Sequence, residues 1–145
     1  MTSSGSQPAF RRQRSGVVAT EFALVCPVLL LMALACADFG RVSHFYETVS
    51  NAARVGAETG ATQRFSDFTR PLWEQRVRNA TLAEMETLPN FNSGDMTYAL
   101  ELAEISNDQH LITVDVSYTF RTIVAWPGLP SDVELRKRVS YRQFR

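Results

Sequence analysis

Glu21 is the one carboxylate in an otherwise apolar run, GVVATEFALVCPVLLLMALACA, that occupies residues 16–37, and Thr20 is its only polar companion. An ionised group inside such a run costs about 2.5 to 3.5 kcal/mol to insert into a bilayer, so it demands a counter-charge or a task. An amine can supply the counter-charge. A cut after Gly16 would leave the Val17 α-amine as the new N-terminus, with Glu21 as the fifth residue, one helical turn away. At neutral pH an α-amine, with a pKa of about 8, and a Glu, near 4.3, are both charged. Their attraction in a low-dielectric setting can fix register even though desolvation reduces the net gain. Such a pair forms either within one chain or between two copies. The other reading of Glu21 places it near the headgroups, about 6 Å inside the start of a helix, where it reaches water.

The element that must position Glu21 is a helix. Residues 17–37 would extend roughly 31 Å at about 1.5 Å per residue, which matches a hydrocarbon core of roughly 30 Å. Three arginines, Arg11, Arg12 and Arg14, precede the run, whereas Arg41 is the only basic side chain in residues 38–52. The positive-inside rule then puts the N-terminus in the cytoplasm and the C-terminal part outside. Pro27 removes a backbone donor and crowds the Ala23 carbonyl, which predicts a kink. It reads either as one of the prolines that membrane helices tolerate or as a bend that lets the chain leave the bilayer. Cys26 and Cys36 both fall in the run, about 15 Å apart on one helix, too far for an internal disulfide. Ala19 with Ala23, Ala33 with Ala37 and Cys36 with Gly40 have the spacing that lets helices approach closely in lipid.

The pattern of basic leader, Gly16, four residues, Glu21 and the aromatic Phe22 resembles the processing site of type IV pilin-like proteins. Two positions depart from that family's habit: Phe22 stands where many sites have Tyr, and Thr20 where an apolar residue is common. The resemblance extends through Glu21-Phe22-Ala23-Leu24, Pro27, Phe39-Gly40, Asn51-Ala52-Ala53-Arg54 and Gly56-Ala57. Residues 16–58 are thereby similar to the N-terminal segment of TadE-type pseudopilins of tight-adherence (Flp) pili. The resemblance implies cleavage between Gly16 and Val17 by a prepilin peptidase at the cytoplasmic face. It also implies assembly pairing through Glu21 and Phe22, and a bend at Pro27 that serves extraction into a filament.

Downstream of the run, Phe39, Val42, Phe45, Tyr46, Val49, Ala52, Ala53 and Gly56 recur at three- and four-residue spacing, so the helix continues past the membrane with one packed face. Gly56 and Gly60 supply its expected stop. Residues 66–88 read as a second helix with Trp73, Val77, Ala80, Met85 and Leu88 inward and Pro71 in its first turn. After Pro89 and the loop NFNSGD come three alternating runs. Met96, Tyr98, Leu100 and Leu102 form the first, Ile112 to Phe120 the second, and Val133, Leu135, Val139 and Tyr141 the third, where Lys137 interrupts the pattern. Ser106-Asn107-Asp108 and Trp126-Pro127-Gly128-Leu129-Pro130 are the turns. The expected fold class is α+β: a long N-terminal transmembrane helix leading into a small domain with a helix and an antiparallel β-meander.

About 88 residues follow the run and its extension, enough for one small domain and too few for a large enzyme. His44 and His110 are isolated, and no H-E-x-x-H, C-x-x-C, G-x-S-x-G or phosphate loop occurs. The chain reads as a non-enzyme without metal or cofactor. Of its 15 basic residues three lie in the leader, leaving 12 against 15 acids, a balance that offers nucleic acid no basic patch. Arg41 marks the outer end of the span. The domain scheme is therefore a basic leader, residues 1–16, that is cleaved; a membrane helix with its extension, 17–58; and a periplasmic α+β domain, 59–145. The expected function is a minor pseudopilin of the inner membrane, with the membrane, a prepilin peptidase and other pilins as partners. The alternative is a periplasmic binding domain released by signal peptidase or lipid-anchored, since Ala33-Leu34-Ala35, Ala35-Cys36-Ala37 and the stretch to Cys36 fit such sites. Glu21 and the helical stripe beyond residue 37 speak against it.

Overall fold

The computed structural model describes residues 11–106, 109–126 and 128–144. Residues 1–10, the centre of the turn at Asn107-Asp108, Pro127 and Arg145 lie outside the described residues. The elements run α1 (Arg11–Thr62), α2 (Arg70–Met85), a 3-10 turn (Ser93–Asp95), β1 (Met96–Ser106), β2 (Gln109–Arg121) and β3 (Asp132–Phe144). The class is α+β, as the periodicities predict. Backbone packing divides the chain between Ala37 and Asp38 into two units.

The first unit holds the apolar part of α1. The helix begins at Arg11, ahead of the expected start at Val17, and remains helical through Pro27. Every residue from 16 to 37 is exposed except half-buried Cys26, and both cysteines are free thiols. α1, from Gly16 to Thr62, is the single helix among the described residues that is long and apolar enough to cross a membrane.

The second unit is two-layered. Its sheet is a meander, β1-β2-β3, antiparallel throughout. β2 is central, and its Ile112, Val114, Val116, Tyr118 and Phe120 face both helices. α1 contributes Phe45, Val49, Ala52, Ala53 and Ala57, while α2 contributes Trp73, Val77, Thr81 and Met85 at four-residue spacing. Each fully buried aliphatic side chain contributes roughly 1.5 to 3 kcal/mol. Phe45 closes one end of this layer, edge-on to Phe120 at 5.2 Å, and Phe65 lies against Trp73 at 4.5 Å at the other.

The expected helix stop is corrected. α1 continues through Gly56 and Gly60 to Thr62, because both glycines are contact points. A Cβ on Gly56 would overlap the Thr81 hydroxyl, and one on Gly60 would lie 2.9 Å from Ile112 Cγ2 and 3.2 Å from Trp73 Cζ2. The stripe of α1 is also rotated by one residue at its start: Phe39 and Tyr46 point outward, and Asp38 is buried in line with Phe45 two turns later. α2 is shorter than residues 66–88. Ser66 to Thr69 instead form a turn in which the Ser66 carbonyl accepts the amides of Thr69 and Arg70, and Leu88 is buried beyond the helix end. In α2 the buried position is Thr81, which donates to the Val77 carbonyl, whereas Ala80 is only half-buried.

In β3 the inward residues are Val133, Leu135, half-buried Lys137 and Val139, but Tyr141 is exposed and Gln143 is buried. The Gln143 amide donates to the Gly60 and Gln63 carbonyls at 3.1 and 2.7 Å, satisfying the C-terminal end of α1. The opposite sheet face is polar. Arg136 clamps the Asp115 carboxylate, and Arg138 pairs with Glu101, so the three strands are stitched by charge on the face the helices leave open. The Arg136 hydrogen bonds hold the Asp115 carboxyl below its ordinary value.

Candidate functional site

The residues with chemical potential cluster at two levels of α1. At the first, Gly16, Val17, Thr20, Glu21 and Phe22 occupy under two turns. Val17 and Glu21 share one helix face. The Thr20 hydroxyl donates to the Gly16 carbonyl at 2.9 Å, so the polar residue that departs from the pilin-like pattern is satisfied by backbone and leaves no bare donor in the apolar run. Glu21 is exposed and has no side-chain partner among the described residues. Phe22 is 64% exposed.

Gly16 differs in kind from Gly56 and Gly60. A Cβ at Gly16 would meet nothing within 4 Å. Glycine in a helix interior is roughly 1 kcal/mol less favourable than alanine, and at this position no packing among the described residues recovers that cost.

Residues 16–58 match the TadE-like protein family. The match begins on Gly16 and ends on Glu58, so it includes the whole apolar run of α1 and most of its packed continuation. No curated protein and no solved structure matches the chain. Within the TadE-like segment, Gly16, Val17, Glu21 and Phe22 lie together, whereas Pro27 lies further along the same helix and touches none of them through a side-chain bond.

The second level lies where the TadE-like segment leaves its apolar run, and the expectations from sequence do not include it. The Asp38 carboxylate accepts from the Ile123 amide at 3.0 Å, the Val124 amide at 3.4 Å and the Trp126 indole N–H at 3.1 Å. Arg41 completes the set at 3.3 Å while its guanidinium stacks over Phe120, 5.0 Å from the ring centre. Arg41 is thus a partner of Asp38 as well as the first cation after the run. These donors, the Ile123 amide foremost, hold the Asp38 carboxyl below its ordinary value against the opposing effect of burial. The only advance signal is a lone carboxylate at the end of an apolar run. Apart from Arg41, its partners are 85 to 88 residues away, beyond the reach of any local pattern.

Elsewhere the second unit has a cleft of about 350 Å³ between α2 and β1, lined by Pro71, Glu74, Gln75, Arg78, Tyr98 and Leu100. The Tyr98 hydroxyl is buried without a partner, and burial pushes its pKa up to about 12. A neutral phenol beside Glu74 and Arg78 is neither a nucleophile nor a base at neutral pH. His44 is exposed and His110 is packed against Phe65. No group of three metal-ligating side chains occurs among the described residues.

Proposed function

We propose that the chain is a minor pseudopilin of a tight-adherence pilus system, a non-enzymatic subunit of the inner membrane with its N-terminus in the cytoplasm and its C-terminal domain in the periplasm. A prepilin peptidase cuts it between Gly16 and Val17, and it then assembles with other pilins. The observation that carries this reading is Gly16 itself: the TadE-like match starts on it, the apolar run starts after it, and nothing inside the chain requires a glycine there. A peptidase that must pull the backbone out of a helix does require one, because glycine is the easiest residue to unwind.

After cleavage the Val17 amine lies one turn from Glu21, on the same face. In the assembled state the Glu21 carboxylate of one subunit neutralises the Val17 amine of another, with Phe22 packing beside the pair and Pro27 allowing the helix to bend during extraction. Both charges then sit in low dielectric, where losing one partner leaves the other poorly solvated at a cost of roughly 3 to 5 kcal/mol.

Mass spectrometry of the mature N-terminus, in a strain that has the peptidase, tests the cleavage. Val17 is the expected first residue. Gly16→Leu should abolish trimming and Gly16→Ala should slow it; a Gly16→Leu chain still trimmed to Val17 rejects the site. A lipid-modified Cys36 would identify a lipid-anchored domain instead, and unmodified Cys36 or Asp38 a secreted one. Glu21→Ala and Glu21→Gln should leave cutting intact but lose co-purification with pilus components. Normal assembly of both variants would remove the pairing role.

A further inference from the structure

We infer that the β2–β3 loop, residues 122–131, is a second membrane contact that rests at the headgroup and acyl boundary on the outer side of the bilayer. The inference rests on the reading of residues 17–37 as the membrane span.

The loop sequence TIVAWPGLPS contains no charged residue. Ile123 is 62% exposed and Leu129 is 66% exposed, and neither is covered by any described part of the chain. Phe39 is 74% exposed as well. Asp38 is bonded covalently to Ala37, the last residue of the span, and binds Ile123, Val124 and Trp126 directly. The loop therefore starts within hydrogen-bond distance of the point where the chain leaves the hydrocarbon. Single exposed apolar side chains are ordinary on soluble surfaces, but here an exposed isoleucine and leucine share one uncharged loop that is bonded to the residue next to the end of the span.

The polar groups of the loop are arranged for such a place. Backbone donors near hydrocarbon must be satisfied from within the protein. Here the Ile123 and Val124 amides go to Asp38, the Thr122 amide goes to the Ser131 carbonyl at 3.1 Å, and the Leu129 amide goes to the Trp126 carbonyl at 3.1 Å across a turn. Gly128, at φ +83°, supplies the left-handed residue that the turn needs. The Asp38 charge is in turn neutralised by its four donors, so no bare carboxylate faces lipid at the exit of the span. Charge resumes only at the base of the loop, where Arg121 pairs with Asp95 at 2.9 Å and with Asp132 at 3.5 Å. Trp126, half-buried and with its N–H satisfied, is the side chain that favours the interface.

Tryptophan quenching in vesicles of brominated phosphatidylcholine tests this on the full chain. Trp73 is buried in the core and Trp126 is in the loop. With bromine near the headgroup end of the acyl chains, the chain should lose most of its Trp126 emission; with bromine near the bilayer midplane it should lose little. The Trp126→Phe variant should show neither loss. A Leu29→Trp reporter in that background marks the span and should be quenched by the midplane bromine. If that reporter is quenched but Trp126 is not, the span stands and the loop proposal falls, with water or a neighbouring subunit left as the surroundings of the loop. If neither is quenched, the span reading fails and takes the proposal with it. The double variant Ile123→Ser with Leu129→Ser keeps the indole and should reduce its shallow quenching several-fold; unchanged quenching overturns the proposal. Phe68, 94% exposed but remote in sequence from Asp38 and the loop, provides the control. Phe68→Ser should change nothing, and an equal drop would indicate general adhesion and reject a specific contact.

Discussion

The two halves of α1 are built from similar residue types yet obey different rules. In residues 16–37 apolar side chains appear on all sides and are exposed. In residues 38–62 most of them, Phe39 and Tyr46 apart, fall on one stripe, and that stripe is buried against α2 and β2. A helix apolar all round has no single face to give the core of its own domain and is long and apolar enough to cross a membrane; a helix apolar on one stripe has a partner of its own. The glycines divide the same way. Gly16 and Gly40 have open space where a side chain would begin, while Gly56 and Gly60 are where the helix presses on Thr81, Ile112 and Trp73.

The sharpest way to break this comparison is to put the same side chain at glycines of each kind. Gly56→Leu forces a branched chain into the Thr81 and Val114 contacts, and should cost more than about 3 kcal/mol, enough to remove the cooperative urea transition of a marginal domain. Gly40→Leu, facing open space, should leave that transition in place. Circular dichroism of both variants in detergent distinguishes them, and equal midpoints would mean that Gly56 is not a contact point.

Aliphatic truncation is the next largest contrast. Val49→Ala removes two methyl groups of a fully buried side chain and should lower stability by about 1 to 3 kcal/mol. Leu31→Ala should leave the unfolding of the second unit unchanged while weakening membrane insertion, read as recovery in the membrane fraction.

Acid provides a third test, aimed at the point where the two halves meet in sequence. Asp38 and Asp115 both have carboxyls held below their ordinary value. Their contribution to stability is complete above the unfolded value of about 3.9 and disappears as pH falls through the lower folded values. Thermal midpoints should therefore be level near neutrality and fall below about pH 4. Asp38→Asn should flatten part of that fall and, by weakening the capture of Ile123 and Val124, speed hydrogen exchange at those amides. An unchanged acid profile would show that Asp38 is not held as its bonds imply.

The smallest effect belongs to the cleft. Tyr98→Phe removes a buried hydroxyl that has no partner, and should be neutral or stabilising by up to about 1 kcal/mol. A loss of stability would reveal a bond to Tyr98 that the fold does not display.

Legibility follows range. The apolar run, the two helices and the three strands repeat a period within a few residues, and each is readable because the period follows from backbone geometry. The central strand is clearest, since every second residue from Ile112 to Phe120 is buried by both helices. Edge strand β3 departs from its pattern at Tyr141, because the end of a strand extends past the cover of the helices and the inward position that counts there is Gln143, bonded to the end of α1. Gly56 and Gly60 look like a stop because glycine serves two opposite purposes, ending a helix or letting it be approached, and only the neighbours distinguish them. Of the candidate site, Gly16, Val17, Glu21 and Phe22 are picked out by their resemblance to a pilin-like processing motif, which a sequence can carry because all four are local to one stretch of helix.

By itself the sequence determined that a helix apolar on all sides follows a basic stretch, that a carboxylate lies just over one turn beyond Gly16, and that a second helix and three alternating strands come after. Each is a short-range consequence of side-chain period and charge placement. Only the tertiary structure decided that Asp38 is the capture point of a loop 85 residues later, that two glycines of α1 are contact points, and that Asp115 is covered by Arg136 on the open sheet face. The physical reason is the same in each case: a buried polar group or a missing Cβ is given its meaning by the atoms that fill the space around it, and those arrive from distant parts of the chain.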